Sequence, residues 1–244
     1  MKVVLASIWR NWSRLRSLAR KNGFEPIFVS ALKIMPIDIS GRLTSYLRNG
    51  PYSWAIFTSS TAASIFLKAE VLVRSIYGVR IAAVGSGTSA FLKRKGIKVD
   101  FLPSEYTTEK LAEELPANPG SKVLMLRSED GSGLAESVLN GRGIQPYRLN
   151  LYRTSFSNRY INGKRLEGAK IIIFGSSKEV MGFENRLVIS HIDGFKKHVI
   201  AASVGPLTNA TAMKLGYKVV DIPKAYTYSS LFEMLGELKN EGRI

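Results

Sequence analysis

Two stretches of the sequence, 120 positions apart, repeat one pattern. Residues 84–111 read VGSGTSAFLKRKGIKVDFLPSEYTTEKL, and residues 204–231 read VGPLTNATAMKLGYKVVDIPKAYTYSSL. The two stretches align without a gap, and 11 of their 28 positions are identical. An internal repeat at this spacing in a chain of 244 residues predicts two domains of similar build, each large enough to close its own core.

Each copy of the repeat contains short apolar runs that stop at small residues. The runs are SWAIFTSS and RIAAVGSGTS in the first copy, and AKIIIFGSS and HVIAASVGPLT in the second. Cores such as IIIF and IAAV lack polar alternation, which is typical of strands buried on both faces of a parallel sheet. Helical patterns follow, as in TSAFLKRKG with Gly96 at its end. The repeating unit is therefore predicted to be strand, turn and helix.

The two copies differ in how they end. The first continues through KVLMLRSEDGSGLAESVLNGRGIQPYRLNLY, which predicts a strand, a helix, a turn at Gly143 and a further strand. The second copy ends without these three elements, but residues 2–32 have the same order of strand, helix and strand. We therefore expect the N-terminal βαβ segment to complete the sheet of the C-terminal copy.

This permuted order predicts the domain organisation. Residues 1–33 and 154–244 would form one discontinuous α/β domain, with residues 38–150 inserted as a second α/β domain. The two chain crossings, residues 34–37 and 151–153, are predicted to pair as a hinge ribbon beneath a cleft.

Charge and composition narrow the function. The chain has 35 basic and 19 acidic residues, a net charge of +16, which attracts nucleic acid, anionic membrane or a polyanionic small molecule. The basic residues are scattered, which disfavours a nucleic-acid-binding tail. There is no cysteine, and His191 and His198 alone cannot form a metal site. The run VVLASIW is too short to span a membrane and lacks a signal pattern, so we expect a cytoplasmic protein.

The turns after the predicted strands are candidate anion sites. In parallel sheets such turns lie beyond the carboxyl ends of the strands, where helix N-termini favour negative charge. The alternative is that glycine, serine and threonine there only end strands and cap helices. The candidate residues on these turns are Ser59, Ser86, Thr88, Ser176, Ser177, Gly205 and Thr208.

In their order and spacing, these motifs resemble those of uroporphyrinogen-III synthases over essentially the whole chain. The matching stretches are FTSSTAASIF, VGSGTSAFLKRKG, LRSEDGSGLAESVLNGRGIQPYRLNLYRT and VGPLTNATAMKLGYKV. The resemblance implies two similar parallel-sheet α/β domains, flavodoxin-like or Rossmann-like, joined by a two-stranded β-ladder.

The resemblance also implies an activity. Members of the family are cofactor-free lyases that close linear hydroxymethylbilane into uroporphyrinogen III, through a spiro intermediate that turns ring D around, with loss of water. The substrate is a polycarboxylate, which the net positive charge of the chain would attract. The expected partners are this bilane and hydroxymethylbilane synthase, which would hand it over. We expect a monomer with no metal and no nucleic-acid or membrane partner.

Particular residues match the family's motifs. Tyr152 matches a tyrosine that points into the cleft, where a phenol could hydrogen-bond the departing hydroxyl. The alternative is a tyrosine packed at the hinge. Thr208 is the best match for a carboxylate contact, Ser176 is next, and Thr88 is the counterpart of Thr208 in the first copy.

Two arginines are further candidates. Arg127 follows a predicted strand and could bind a carboxylate bidentately, or pair with Glu129 or Asp130 instead. Arg10 follows the first strand, at a position where the family often has a basic residue. Two positions depart from the family pattern: Gly175 replaces a usual threonine or serine, and Ser132 replaces a frequent basic residue.

Tyr106 and Tyr226 occupy equivalent positions in the two copies, each three residues after a proline and directly before a threonine. We expect each to pack on its own domain at the entry to a helix.

Two other functions stay open at this point. The chain could be a non-catalytic binding protein for a nucleotide or another anionic small molecule, although it has no G-x-G-x-x-G that opens a helix before a suitably placed acidic residue. It could also be a basic nucleic-acid-binding protein, as WRNWSRLRSLARK indicates. However, Trp9, Trp12, Leu15 and Leu18 in that segment give one apolar side that should cover a sheet.

Overall fold

The chain forms two compact units in a computed structural model that describes residues 1–8 and 11–244. Unit 1 comprises Met1–Lys33 and Ser155–Ile244, and unit 2 comprises Ile34–Thr154. The N-terminal and C-terminal segments therefore share one unit.

Each unit is built on a five-stranded sheet. The sheet of unit 1 contains β1 (Lys2–Leu5), β2 (Glu25–Phe28), β8 (Ala169–Phe174), β9 (Ile200–Ser203) and β10 (Lys218–Val219). The sheet of unit 2 contains β3 (Leu32–Pro36), β4 (Trp54–Phe57), β5 (Arg80–Ala83), β6 (Lys122–Ser128) and β7 (Gln145–Phe156).

The sheet of unit 1 has the strand order β10-β9-β8-β1-β2, and neighbouring strands are parallel. The N-terminal strands lie directly beside β8, which confirms that the N-terminal segment completes the sheet of the C-terminal copy. Leu5 lies opposite both Ile173 and Phe28, so the carboxyl ends of these three strands reach the same edge. The chain runs outward in opposite directions from β1 and from β8. The topological switch point, where open α/β sheets usually bind ligands, therefore lies between them.

The sheet of unit 2 has the order β3-β7-β6-β4-β5, and β4 to β7 are parallel. Phe57 lies opposite both Ala83 and Leu126, and the switch point lies between β4 and β6. Strand β3 lies beside β7, where the Ile37 N–H donates to the Leu151 carbonyl at 3.0 Å. The two chain crossings are therefore paired, as the predicted β-ladder requires.

Helices connect most of these strands. They are α1 (Trp12–Lys21), α2 (Ser40–Arg48), α3 (Ser60–Phe66), α4 (Glu70–Ser75), α5 (Ser86–Arg94), α6 (Thr108–Glu114), α7 (Leu134–Gly141), α8 (Ser177–Ile189), α9 (Phe195–His198), α10 (Pro206–Lys214) and α11 (Tyr228–Asn240). Gly96 and Gly216 follow the ends of α5 and α10 with φ of +77° and +86°. Both lie in the left-handed region that favours glycine after a helix, so the repeat ends its helices in the same way.

Apolar residues cover both faces of each sheet. In β8, Ile172 and Phe174 join one core cluster while Ile171 and Ile173 join another, because successive side chains point to opposite faces. Residues 54–57 of β4 alternate between two clusters in the same way. The predicted strands buried on both faces are therefore confirmed.

Helix α1 packs its apolar side on the unit 1 sheet. Leu15 is buried in the core, Trp12 and Leu18 pack against that core, and Arg14 and Arg16 are exposed. Trp9 lies outside the described residues. No helix among the described residues is long and apolar enough to cross a membrane.

Candidate functional site

Two of the predicted site residues meet at the carboxyl edge of the unit 2 sheet. Tyr152 lies on β7, and Ser59 lies two residues after the end of β4. The Tyr152 hydroxyl lies 3.1 Å from Ser59 Oγ. A β-bulge places the tyrosine there, because Arg127 pairs with Asn150 whereas Ser128 pairs with Tyr152. Such a bulge changes the direction of the side chains that follow it.

Ser59 is also the N-cap of α3. Its Oγ accepts a hydrogen bond from the Ala62 N–H at 3.1 Å. A serine hydroxyl can accept two hydrogen bonds and donate one. Ser59 can therefore donate to the Tyr152 oxygen, which leaves the phenol proton available to a third group.

Helix α5 starts at the carboxyl end of β5 without a side-chain cap. Gly85 is its N-cap, Ser86 is exposed, and Thr88 is only 8% exposed. Among residues 1–8 and 11–244, the Thr88 hydroxyl finds no hydrogen-bond partner. The first-turn N–H groups of a helix likewise have no partner within the helix.

Helix α10 of unit 1 repeats this arrangement after β9. Gly205 is its N-cap, with φ and ψ of −152° and 170°, and Gly85 has −147° and 164°. Thr208 is 7% exposed, and its hydroxyl is also unpaired within the described part of the chain. Pro206 lacks an N–H, so this helix start offers one amide fewer than that of α5.

The turn after β8 contains the two predicted serines of unit 1. Ser176 is the N-cap of α8, and its Oγ accepts from the Glu179 N–H at 3.3 Å. The Ser177 hydroxyl donates to the Leu207 carbonyl at 3.2 Å and lies 2.9 Å from the Thr211 hydroxyl. The Ser177 hydroxyl is therefore engaged with α10, and only its amide is left for a ligand.

A buried carboxyl group lies behind this turn, at the switch point between β1 and β8. Glu179 accepts from the Gly175 N–H at 2.7 Å and hydrogen-bonds Ser7 and the Ile8 amide. Burial raises the pKa of Glu179 to about 7, although these hydrogen bonds oppose the shift. The hydroxyl of Tyr228 lies where a Cβ on Gly175 would be, and burial with the neighbouring Glu179 raises the pKa of that phenol.

Sequence reasoning missed this cluster. The signal that could have found it is the spacing of Ser176 and Glu179, since a serine N-cap with a glutamate three residues later is the capping-box pattern. Here the carboxyl group accepts from the Gly175 N–H at 2.7 Å as well as interacting with the N–H of Ser176, the cap residue.

Arg127 is buried and already binds a carboxylate of its own unit. Its Nη1 donates to both oxygens of Glu136, at 2.7 and 2.8 Å, and its Nη2 donates to the Ser132 carbonyl at 2.7 Å. The alternative pairing with Glu129 or Asp130 is therefore wrong, because the helix start of α7 brings Glu136 to the arginine. The fork that was expected to take a substrate carboxylate is occupied.

A second arginine holds the loop between β6 and α7. Arg148 Nη2 donates to the carbonyls of Glu129 at 2.7 Å and Gly131 at 3.0 Å. Nothing in the sequence distinguishes this residue from the other arginines. Arg10, the remaining candidate, lies outside the described residues.

The groups at these strand ends are mainly hydroxyls and amides. Within the described ranges, no group of three or more acidic or histidine side chains could hold a metal ion. Such a set of donors suits the binding of anions and the stabilisation of a departing oxygen.

Comparison with known proteins connects this arrangement to a family. The family described as uroporphyrinogen-III synthase HemD matches residues 13–233 of the chain. The porphyrin biosynthesis protein HemD of Ruminiclostridium josui is 28% identical over 214 residues, and the chain spans 40% of the length of that relative. A Methanocaldococcus jannaschii protein is 28% identical over 250 residues, which cover 98% of this chain and 99% of that protein.

Solved structures share the fold. The Helicobacter pylori uroporphyrinogen-III synthetase superposes with a TM-score of 0.63 at 17% identity, covering 97% of this chain and 99% of that one. A mutant uroporphyrinogen III synthase of Thermus thermophilus gives 0.54 at 16% identity, covering 99% of each. Since the family match extends over most of the sequence, the chain belongs to the uroporphyrinogen-III synthase family.

Proposed function

We propose that this chain closes hydroxymethylbilane into uroporphyrinogen III, with inversion of ring D and loss of one water molecule. The observation that carries the proposal is the Tyr152–Ser59 pair at the ligand edge of the unit 2 sheet, in a chain of this family. The reaction needs no oxidant, since the atoms of the bilane are those of the macrocycle plus water.

Tyr152 is the proposed catalytic residue. With Ser59 donating to its oxygen, the phenol donates its own proton toward the hydroxyl of the substrate as the carbon–oxygen bond breaks. The cation that remains is reactive, so the protein's further task is to hold the folded bilane and exclude water until ring D has turned.

The carboxylates of the substrate are proposed to meet the helix starts. The amides of Ser86 and Thr88 in unit 2, and those of Ser177 and Thr208 in unit 1, lie at the carboxyl edges of the sheets. The Ser176 amide is already engaged by the Glu179 carboxyl group. Anions are stabilised at such helix ends. The net charge of +16 supplies a long-range attraction for a polycarboxylate.

The setting of the enzyme is part of the proposal. We infer a cytoplasmic monomer that receives the bilane from hydroxymethylbilane synthase. We also infer that the two units act as domains, with residues 34–37 and 151–153 as the hinge.

The test is product analysis. Purified protein is supplied with freshly generated hydroxymethylbilane, the products are oxidised, and the type I and type III uroporphyrins are separated by chromatography. Mostly type III, above a control without protein, is the expected result. Type I alone would overturn the proposed reaction and favour the non-catalytic binding of anions.

A further inference from the structure

Two tyrosines at equivalent positions of the repeat are exposed beside equivalent helix starts. Tyr106 is 59% exposed and Tyr226 is 61% exposed, so neither ring is packed into its unit as the sequence led us to expect. A Cβ placed on Gly85 would lie 3.5 Å from Tyr106 Cβ, and one on Gly205 would lie 3.8 Å from Tyr226 Cγ. Each tyrosine therefore stands against the N-cap glycine of a helix.

The backbone holds both tyrosines in the same way. The N–H of Thr107 donates to the Glu105 carbonyl at 2.8 Å, and the N–H of Thr227 donates to the Ala225 carbonyl at 2.7 Å. Each threonine then caps the helix that follows, α6 or α11. The turn therefore fixes the backbone position of each tyrosine, although the residues just before the tyrosines differ between the copies.

The neighbouring helix starts already carry polar groups without partners. Thr88 and Thr208 are more than nine-tenths buried, and within the described residues neither hydroxyl has a hydrogen-bond partner. In each unit an exposed aromatic ring thus lies beside a start of α5 or α10 that has free donors. A ligand that fits both features is an aromatic ring with a carboxylate on a short arm.

We propose that Tyr106 and Tyr226 each provide an aromatic contact surface for one pyrrole ring of the substrate, while the adjacent helix start takes a carboxylate of that ring. The assignment rests on the proposed function for the identity of the substrate. Aromatic rings attract one another in stacked or edge-to-face geometry, and this contact is independent of the phenol hydroxyl. Each unit therefore holds one ring by its face and by its acidic arm.

The kinetic test compares alanine and phenylalanine at each tyrosine. Tyr106→Ala and Tyr226→Ala should each raise KM about 5- to 10-fold, because an aromatic contact is lost. The same variants should also raise the type I fraction, since a ring that is not held can close without inversion. Tyr106→Phe and Tyr226→Phe keep the ring and should stay within about 2-fold of the wild-type KM.

Matched controls exist in both units. Tyr77 of unit 2 is 90% exposed and Tyr160 of unit 1 is 68% exposed, and neither contacts an N-cap glycine. Tyr77→Ala and Tyr160→Ala should leave KM and the isomer ratio unchanged. Tyr106 and Tyr226 variants that behave like these controls would overturn the assignment. An effect at one tyrosine alone would overturn the proposal that both tyrosines have the same role.

A binding measurement separates this inference from the proposed reaction. The protein with ¹³C-labelled tyrosine is titrated with a monopyrrole that carries one acetate and one propionate, and the ring resonances are assigned with the four alanine variants. Shifts at Tyr106 and Tyr226, and none with glutarate, support the ring contact even if the wild-type protein makes no type III product. No shift at millimolar monopyrrole would refute it.

Discussion

The turn after β4 and the turn after β8 are equivalent in the repeat but contain different chemistry. Their N-caps are nearly superimposable, since Ser59 has φ and ψ of −157° and 155° and Ser176 has −156° and 155°. In unit 2 the serine meets the hydroxyl of Tyr152 from the neighbouring part of the sheet. In unit 1 the carboxyl group of Glu179 and the hydroxyl of Tyr228 lie beside Gly175, the residue before the serine.

The difference shows how one backbone can serve two roles. In unit 1 an amide of the turn is already bonded to a carboxyl group of the protein, whereas the pair in unit 2 keeps a hydroxyl proton for another molecule. We infer that the unit 2 turn performs the chemistry and that the unit 1 turn is mainly held rigid.

The largest expected effect is a difference in turnover between substitutions of Tyr152 and Tyr228. Tyr152→Phe should lower the turnover number for type III formation about 100-fold, since a proton donor to the leaving group is lost. Tyr228→Phe should change turnover by less than about 3-fold and lower the free energy of unfolding by about 1 kcal/mol, the usual contribution of a hydrogen bond. Steady-state assays and urea titrations measure both quantities.

Ser59→Ala is the control for the first comparison. It keeps the phenol but removes the cap of α3, so it should lower the free energy of unfolding by about 1 kcal/mol. Its loss of turnover should be smaller than that of Tyr152→Phe. Equal losses of turnover in Tyr152→Phe and Tyr228→Phe would contradict the division of roles between the turns.

Much of the fold could be predicted because its signals are local. Runs such as IIIF identify buried strands, and counting elements in the two copies located the N-terminal strands in the C-terminal sheet. The contact of Ser59 with Tyr152 could not be predicted, because it joins residues 93 positions apart and depends on a bulge in β7. Similarly, three acidic residues follow Arg127 closely, and only the fold selects Glu136 among them.

The second prediction uses the buried carboxyl group that unit 2 lacks, since Ala62 occupies the position equivalent to Glu179. The folded pKa of Glu179 is raised to about 7 from an ordinary value of 4.5. Its protonated form therefore favours the folded state, and this contribution is complete below pH 4.5 and lost as the pH rises to 7. Between pH 5 and pH 8, wild-type protein should lose about 2 kcal/mol of stability relative to Glu179→Gln.

Urea unfolding at a series of pH values tests this expectation. Tyr228 lies near Glu179, and Arg14 lies near Tyr228, so both residues are kept unchanged in every variant that is compared. Glu233→Gln changes an exposed residue on α11. Its free energy of unfolding, plotted against pH, should run parallel to that of the wild type. Parallel curves for Glu179→Gln as well would show that the carboxyl group does not titrate in this range.

The smallest effect concerns Gly175, whose equivalent in unit 2 is Thr58. A methyl group added by Gly175→Ala would overlap the hydroxyl of Tyr228 and should cost about 1 to 2 kcal/mol of stability. The cost should shrink in a Tyr228→Leu background, because the overlapping ring is gone. Thr58→Ala loses only a long hydrogen bond of 3.3 Å to the Leu126 carbonyl and should cost less than about 1 kcal/mol. If Gly175→Ala lowers the stability equally in both backgrounds, the hydroxyl of Tyr228 is not the reason that position 175 requires a glycine.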